Sequence, residues 1–264
     1  MRTRRAGLLR VVVSVGIALS IGRSAWAIDA WDKGVPDDDA AATGTELVHG
    51  SDEVHDLQAR GGADEDWYRI AQQPYASYEV VVDAATPTVL PVVLERIGAD
   101  GTTVAQSSVA IGAGIGGTRS LRWENATANA IENETVRVTA GGCGARCKKT
   151  ATYRIRAYET TYAVPRFNNS GTQVTVLVVQ NPQSYQIAGN VWFWDATGTQ
   201  IATSTFDLTA KAVLVLQTQL VTPATSGTIT ISHGGRFGDL AGKSIALEPA
   251  TGFSFDTPLV PRPR

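Results

Sequence analysis

The sequence predicts an all-β protein of two consecutive antiparallel β-sandwich domains after a cleaved signal peptide. Three observations support this. From Asp66 onward, apolar and polar residues alternate with a period of two, as in strands that bury one face. Glycine, proline and asparagine interrupt the runs at sandwich-like intervals. No stretch combines a helical period with caps and helical length.

The first element is a secretory signal. Four arginines lie in the first ten residues, an apolar run extends from Leu8 to Gly22, and the small-residue step Ala25-Trp26-Ala27 follows. This order predicts cleavage after Ala27. The apolar run, about 15 residues long, is short for a membrane span, and no later segment is a candidate. We therefore expect a secreted protein of the periplasm, cell surface or medium; an uncleaved N-terminal anchor is the alternative.

Removal of residues 1–27 makes the chain acidic. The leader holds five arginines and no acid, which leaves 18 basic and 25 acidic residues and a net charge of −7. Because an acidic surface repels phosphates, we expect no nucleic-acid partner.

Residues 28–45 are acidic and low in large apolar groups, and we expect an irregular arm there. Residues 46–160 are the predicted first sandwich. Ala99-Asp100-Gly101 supplies a hairpin turn, because glycine accepts a positive φ. The predicted strands are Trp67–Ile70, Tyr78–Asp83, Val89–Ile97, Ser120–Trp123, Glu134–Thr139 and Ala151–Tyr158.

The two cysteines, Cys143 and Cys147, lie between the last two of these strands. In an oxidising compartment such a pair predicts a structural disulfide. The loop is short, so the bridge would stabilise the fold by only about 1–3 kcal/mol. A redox or metal-binding pair is the rival interpretation, although two thiols without a nearby histidine make a poor zinc site.

Residues 161–260 are the predicted second sandwich, and residues 261–264 a proline-rich tail. The predicted strands are Val174–Val179, Gly189–Asp195, Gln200–Leu208, Ala212–Gln217, Gly227–Ser232, Lys243–Glu248 and Phe253–Phe255.

The segment 61–158 resembles the bacterial pre-peptidase C-terminal (PPC) domain. The resemblance is carried by the order of Ala63-Asp-Glu-Asp-Trp-Tyr-Arg-Ile, Tyr78-Glu-Val-Val-Val, the Leu94–Gly101 hairpin and Thr152-Tyr-Arg-Ile-Arg-Ala-Tyr. It implies a jelly-roll-type sandwich appended to secreted proteins. No peptidase precedes the segment here, which favours an accessory role.

Residues 162–260 are similar to an immunoglobulin-like module of bacterial exported proteins. The matching pieces are Phe167-Asn-Asn-Ser-Gly, Thr175-Val-Leu-Val-Val-Gln-Asn-Pro, Trp192-Phe-Trp-Asp-Ala-Thr-Gly and Ala212-Val-Leu-Val-Leu. This similarity implies a fold and no activity.

Candidate catalytic groups are few. The string Ser232-His233-Gly-Gly-Arg236 could place a catalytic histidine beside glycine amides, with Asp239 orienting the ring. No nucleophile is specifically placed, so we prefer a surface histidine in a glycine-rich turn. We expect no enzyme activity and no catalytic residue.

A calcium site is a second hypothesis. Asp64, Glu65 and Asp66, with Asp37–Asp39 or Asp83, supply the carboxylate oxygens that Ca²⁺ takes. The spacing matches no EF-hand loop, and a solvated acidic face is the preferred interpretation. No other cofactor is expected.

Trp192 and Trp194 lie on one face of a predicted strand, and Val191 and Phe193 on the other. Exposed tryptophans could stack on sugar rings, whereas buried ones are core. The sequence does not say which face points inward; core packing is preferred.

We therefore expect a non-catalytic binding or structural accessory protein of the bacterial envelope or extracellular space. Its expected partner is a protein or a polysaccharide. A carbohydrate-binding or adhesion module is the first alternative, and an unrecognised hydrolase is the second.

Overall fold

A computed structural model describes residues 40–42, 44–57, 65–84, 92–110, 118–128, 132–140 and 152–262. Within these ranges, nineteen strands, numbered β1 to β19 in chain order, form four sheets. The helical structure in the same ranges is one 3-10 turn at Thr218–Leu220. The predicted all-β sandwich class is therefore confirmed.

Residues 45–159 build two five-stranded sheets, named sheet A and sheet B. In spatial order, sheet A contains β1 (Thr45–Glu46), β3 (Glu65–Gln72), β9 (Glu132–Ala140), β5 (Val92–Ile97) and β6 (Val104–Ser107). In spatial order, sheet B contains β2 (Asp52–Asp56), β10 (Thr152–Glu159), β4 (Ala76–Ala84), β8 (Arg119–Asn125) and β7 (Val109–Ala110). All pairs are antiparallel except the short parallel pair β1–β3.

Alternation along the strands explains how the first sandwich closes. In β10, Tyr153 and Ile155 are buried while Arg154 between them is exposed. The inner faces of sheets A and B share one core, whose fully buried members include Tyr68, Leu94, Val138, Val80, Leu121 and Ile155. Removal of this apolar surface from water drives the packing of the two sheets.

The turn between β5 and β6 is the predicted one. Gly101 has φ 72°. The Asp100 carboxylate accepts the Thr102 and Thr103 amides at 2.9 and 2.8 Å, which closes the turn locally.

Residues 162–261 build the other two sheets. In spatial order, sheet C contains β14 (Gln200–Leu208), β13 (Ile187–Asp195), β16 (Ser226–His233), β11 (Tyr162–Asn168) and β19 (Val260–Pro261). In spatial order, sheet D contains β15 (Val213–Gln217), β12 (Val174–Gln180), β17 (Ala241–Glu248) and β18 (Phe253–Pro258). Their inner faces share a second core that includes Val191, Phe193, Ile229, Ile231, Leu177 and Val179.

The strands β11 and β19 were not predicted. Val260 and Pro261 pair with the start of β11, so Pro261, the first residue of the expected extended tail, belongs to sheet C. The signal peptide, most of the acidic arm and the Cys143–Cys147 segment lie outside the described residues.

The outer faces of the first sandwich are covered by ion pairs between neighbouring strands. Arg137 lies between Glu65 and Glu95, with N–O distances of 3.4 and 2.8 Å. Arg154 pairs with Asp52 at 3.0 Å, and Arg156 pairs with Asp83. Such pairs keep an exposed sheet face polar.

Candidate functional site

The two sandwiches meet along a contact surface that we call the seam. One side of the seam is the outer face of sheet C with the loop 234–240. The other side is the turn between β3 and β4 with the outer face of sheet B. The contacts between the sandwiches include the two ring contacts of Tyr75 and hydrogen bonds donated by Asn190, Ser232, His233 and Phe237.

The tryptophan pair lies in the seam. Val191 and Phe193 point into the second core, which leaves Trp192 and Trp194 on the outer face of sheet C. Trp192 is only 6% exposed, and its indole N–H donates to Ser232 Oγ at 2.9 Å. Trp194 is half-buried and donates to Thr230 Oγ1 at 2.9 Å. The pair therefore belongs to neither sandwich core.

Tyr75 of the first sandwich covers this pair. Its ring centroid lies 4.6 Å from that of Trp192 and 5.1 Å from that of Trp194, in tilted and edge-on geometry. Both distances are in the range in which aromatic rings attract beyond simple burial. The backbone of Tyr75 has φ 57°, a conformation that L residues other than asparagine and aspartate rarely adopt. The tight turn thus holds the ring against the second sandwich.

Glu124 binds two side chains across the seam. Its Oε2 accepts from Asn190 Nδ2 at 2.9 Å and from Ser232 Oγ at 2.8 Å. Because Ser232 also accepts from Trp192, a continuous chain of hydrogen bonds runs from the indole to the carboxylate. Hydrogen bonds to a charged acceptor are stronger than neutral ones.

Glu79 is a buried carboxylate of sheet B. Its Oε1 accepts from Ser120 Oγ at 2.9 Å, and its Oε2 accepts from the backbone N–H of Phe237 at 2.9 Å. Burial raises the pKa of Glu79, while the Phe237 and Ser120 donors oppose that rise. Oε1 therefore binds within sheet B, and Oε2 joins the two sandwiches.

His233, the candidate catalytic histidine, is completely buried in the seam. Its Nδ1 accepts the Gly235 amide at 3.0 Å, so the ring carries its proton on Nε2, which lies 2.9 Å from the Thr160 carbonyl oxygen. Burial lowers the pKa of His233 to about 4. The ring is thus a neutral bridge between the sandwiches. The prediction that His233 lies at the surface is therefore wrong.

Asp239 does not orient this ring. Its Oδ2 accepts the Arg236 backbone amide at 2.6 Å and also the Tyr185 hydroxyl. The Gly235 amide, proposed for an oxyanion hole, is directed at His233 Nδ1. The segment proposed as catalytic, from Ser232 to Asp239, is therefore a strand end and a loop that its own hydrogen bonds close.

A cleft of about 170 Å³ lies beside the seam, lined by residues that include Tyr78, Glu79, Tyr158, Glu159 and Arg262. Arg262 forms an ion pair with Glu159. Burial raises the pKa of Tyr78 to about 12, so its hydroxyl stays protonated. The two carboxylates in the cleft, Glu79 and Glu159, already bind other protein groups.

The acidic string proposed for calcium is split. Asp64 lies outside the described residues. Glu65 pairs with Arg137, and Asp66 is buried, where it accepts the Tyr153 hydroxyl. Asp83 pairs with Arg156 and accepts from Thr118. Within the described ranges, no three His, Cys, Asp or Glu side chains are grouped to hold a metal ion. The calcium site stays a prediction.

The sequence did not predict the contact surface between the two sandwiches. Tyr75 and Glu124 carry no motif, and only the Pro74-Tyr75 step between two strands marks the turn.

The disulfide between Cys143 and Cys147 also stays a prediction, because both residues lie outside the described part of the chain.

No family model and no curated protein matches this chain. Among solved structures, it is similar to the pre-peptidase C-terminal domain of a collagenase from Bacillus anthracis. The identity is 10% and the TM-score 0.33, over 43% of this chain and 93% of that domain.

The chain is also similar to a β-glucuronidase from Bacteroides uniformis, with 10% identity and a TM-score of 0.21 over 75% of this chain. A β-glucuronidase of glycoside hydrolase family 2 gives 11% identity and a TM-score of 0.20 over 81% of this chain. The chain spans about a quarter of the length of both enzymes, 26% and 25%. At these identities and TM-scores the likenesses say nothing about activity.

None of the described residues forms a helix with the length and apolarity needed to cross a membrane.

Proposed function

We propose that this protein is an exported, non-catalytic accessory protein of the bacterial envelope or extracellular space. Its two sandwiches would act as one rigid unit that presents binding surfaces. The observation that carries the proposal is the use of Glu79, Glu124 and His233 as bonds between the sandwiches. These are the titratable groups that a catalytic site at the seam would need free.

Export is supported by the N-terminal sequence. The basic start, the apolar run to Gly22 and the small residues before Ile28 form a secretory leader. The Cys143–Cys147 pair suits an oxidising compartment.

A hydrolase built on His233 is disfavoured by its bonding. A general base needs a free nitrogen within reach of a substrate proton. Both ring nitrogens of His233 are already directed at backbone groups, and the lowered pKa makes the ring a weak base.

A sugar platform on Trp192 and Trp194 is disfavoured in the same way. Tyr75 lies against both rings, so a glycan would first have to displace it. We therefore propose no carbohydrate site at this position.

Fractionation of a bacterial host that produces the full chain tests the proposal. We expect the protein in the periplasm or medium, with an N-terminal sequence that begins at Ile28. A Val13→Arg variant, which interrupts the apolar run, should remain in the cytoplasm as the precursor. Recovery of both forms uncleaved in the cytoplasm would contradict export.

A hydrolase substrate panel tests the non-catalytic part. Turnover by the purified protein that disappears in a folded His233→Gln variant would contradict it. Turnover of equal size in both forms that persists after repurification would also contradict it, because another site of the chain would then be catalytic.

A further inference from the structure

The outer face of sheet D is aliphatic, in contrast to the outer faces of sheets A and B. Residues opposite each other in an antiparallel pair lie on the same face. Val176 is opposite Ile245, Val174 is opposite Leu247, and Val178 is opposite Val215. The inward side of β12 is formed by Leu177 and Val179, which belong to the second core. We call the outward aliphatic side chains the valine face: Val174, Val176, Val178, Val213, Val215, Ile245 and Leu247. Gln180, Gln217 and Lys243 lie on the same face beside them.

The valine face is open in the described part of the chain. Val213 and Val215 are 50% and 63% exposed, and the other five members are half-buried by their lateral neighbours. On an antiparallel sheet the solvent face is ordinarily polar. A contiguous apolar patch on such a face marks an interaction surface.

The outer faces of sheets A and C show how this chain covers such groups elsewhere. Cross-strand ion pairs cover the outer side of sheet A, as with Arg137 between Glu65 and Glu95. The tryptophans on the outer side of sheet C are covered by Tyr75. Only on sheet D, among the outer faces described, do neighbouring strands pair aliphatic with aliphatic residues across three strands.

We propose that the valine face docks against the same face of a second copy of this chain. The surface can pair with itself because its β15 and β12 side is aliphatic, while Lys243, opposite Val178, and Asp256, opposite Ile245, place one charge of each sign on its β17 and β18 side. Within one copy these two residues form an ion pair at 2.6 Å. A two-fold axis that crosses the strands between these residues brings the Lys243 ammonium toward the partner's Asp256. It also lays Val176 and Val178 on aliphatic groups.

The area of the face sets the strength of this dimer. With a strand spacing of about 4.8 Å and a rise of about 3.4 Å per residue, three strands by five residues cover roughly 240 Å² per copy. Pleating raises the accessible surface buried by both copies to roughly 500–600 Å², below the ~1,200 Å² of a standard stable interface. The dimer is therefore reversible and weak, and it closes at two copies because the interface is isologous.

Sedimentation velocity over a wide concentration range tests the proposal. The sample is the full chain as purified from the producing cells, with the N-terminus that processing in those cells leaves. We expect a monomer at low micromolar concentration and a reversible monomer–dimer equilibrium as the concentration approaches the millimolar range. Val215→Lys places a charge on the exposed edge of the face and should weaken association at least tenfold. Val213→Lys is a second variant with the same expectation, in case the first alters the fold.

Val54→Lys is the matched control. Val54 is also an exposed edge-strand valine, 51% exposed, but it lies on β2 of the first sandwich. Its lysine variant should dimerise like the unaltered protein. A protein that stays monomeric throughout would overturn the proposal, because another protein or another segment of the chain would then be the occupant. Dimerisation that ignores both lysine variants would also overturn it. The inference does not rest on the proposed function, and a cytoplasmic location would leave it unchanged.

Discussion

Tyr75 and Trp192 lie on different sandwiches, and their ring centroids are 4.6 Å apart. Tyr75 keeps this contact with a backbone φ of 57°, which is strained for an L residue with a Cβ atom. The strain persists because the surrounding turn and the two tryptophans hold the residue in place. One part of the joint between the sandwiches is thus a tight turn whose tyrosine packs against a pair of indole rings.

The first prediction concerns Tyr75. Tyr75→Ala removes the ring and should lower the free energy of unfolding by about 1–3 kcal/mol. Tyr75→Gly should be no more destabilising than Tyr75→Ala, because glycine releases about 1 kcal/mol of backbone strain at this φ. Urea unfolding measures both, with Tyr75→Phe as the near-neutral control. A glycine variant clearly less stable than the alanine variant would show that the strained turn is not retained in solution.

The second prediction concerns Glu124. Glu124→Ala leaves Asn190 Nδ2 and Ser232 Oγ without their shared acceptor, and we expect a loss of about 1–3 kcal/mol. The control is Glu132→Ala, an exposed glutamate of β9, which should change stability by less than about 0.5 kcal/mol. Equal effects of the two substitutions in thermal or urea unfolding would mean that Glu124 does not join the sandwiches.

The third prediction is a pH dependence that originates in His233. Burial depresses its folded-state pKa to about 4, below the ordinary value of 6.5. The group therefore contributes stability that is fully present above pH 6.5 and is lost as the pH falls toward 4. The difference corresponds to about 3 kcal/mol. His233→Gln, which can still donate to the Thr160 carbonyl, should flatten the stability curve between these pH values.

Subtracting the stability curve of the His233→Gln variant from that of the unaltered protein isolates the contribution of His233. His49 and His55 are present in both proteins, so the difference between the two curves reports His233 alone. If the free energies of unfolding of the two proteins changed in parallel between pH 6.5 and 4, the His233 ring would be exposed to solvent in the folded protein.

The fourth prediction concerns calcium. Glu65 is paired with Arg137 and Asp66 is buried against the Tyr153 hydroxyl, so a bound cation would have to compete with both contacts. We expect that CaCl₂ leaves the melting temperature unchanged relative to NaCl of equal ionic strength. A calcium-specific rise in melting temperature, lost in Glu65→Gln, would restore the acidic string as a metal site.

The strands could be predicted from the sequence, but the seam could not. The alternation in β10 and the Asp100-Gly101 turn reveal strands and a hairpin through local chemistry. The alternation around Trp192 shows only that the tryptophans share a face opposite Val191 and Phe193. What covers that face is a contact with Tyr75, more than a hundred residues earlier in the sequence, and no local pattern encodes it. For the same reason the sequence could not place His233.

The strand β12 shows a second limit. The run Val174–Val179 predicted a strand, and a continuous apolar run ordinarily indicates a strand buried on both faces. The structure buries Leu177 and Val179 but leaves the alternate valines on the open face of sheet D. A run without alternation thus identified the strand but not the exposed surface.

Residual dipolar couplings of backbone N–H groups from both sandwiches test the central claim most directly. If the seam makes the sandwiches one rigid unit, a single alignment tensor will fit the couplings from residues 45–159 and 162–261 together. Two tensors of different magnitude or orientation, with each sandwich fitted well only by its own, would contradict a rigid joint.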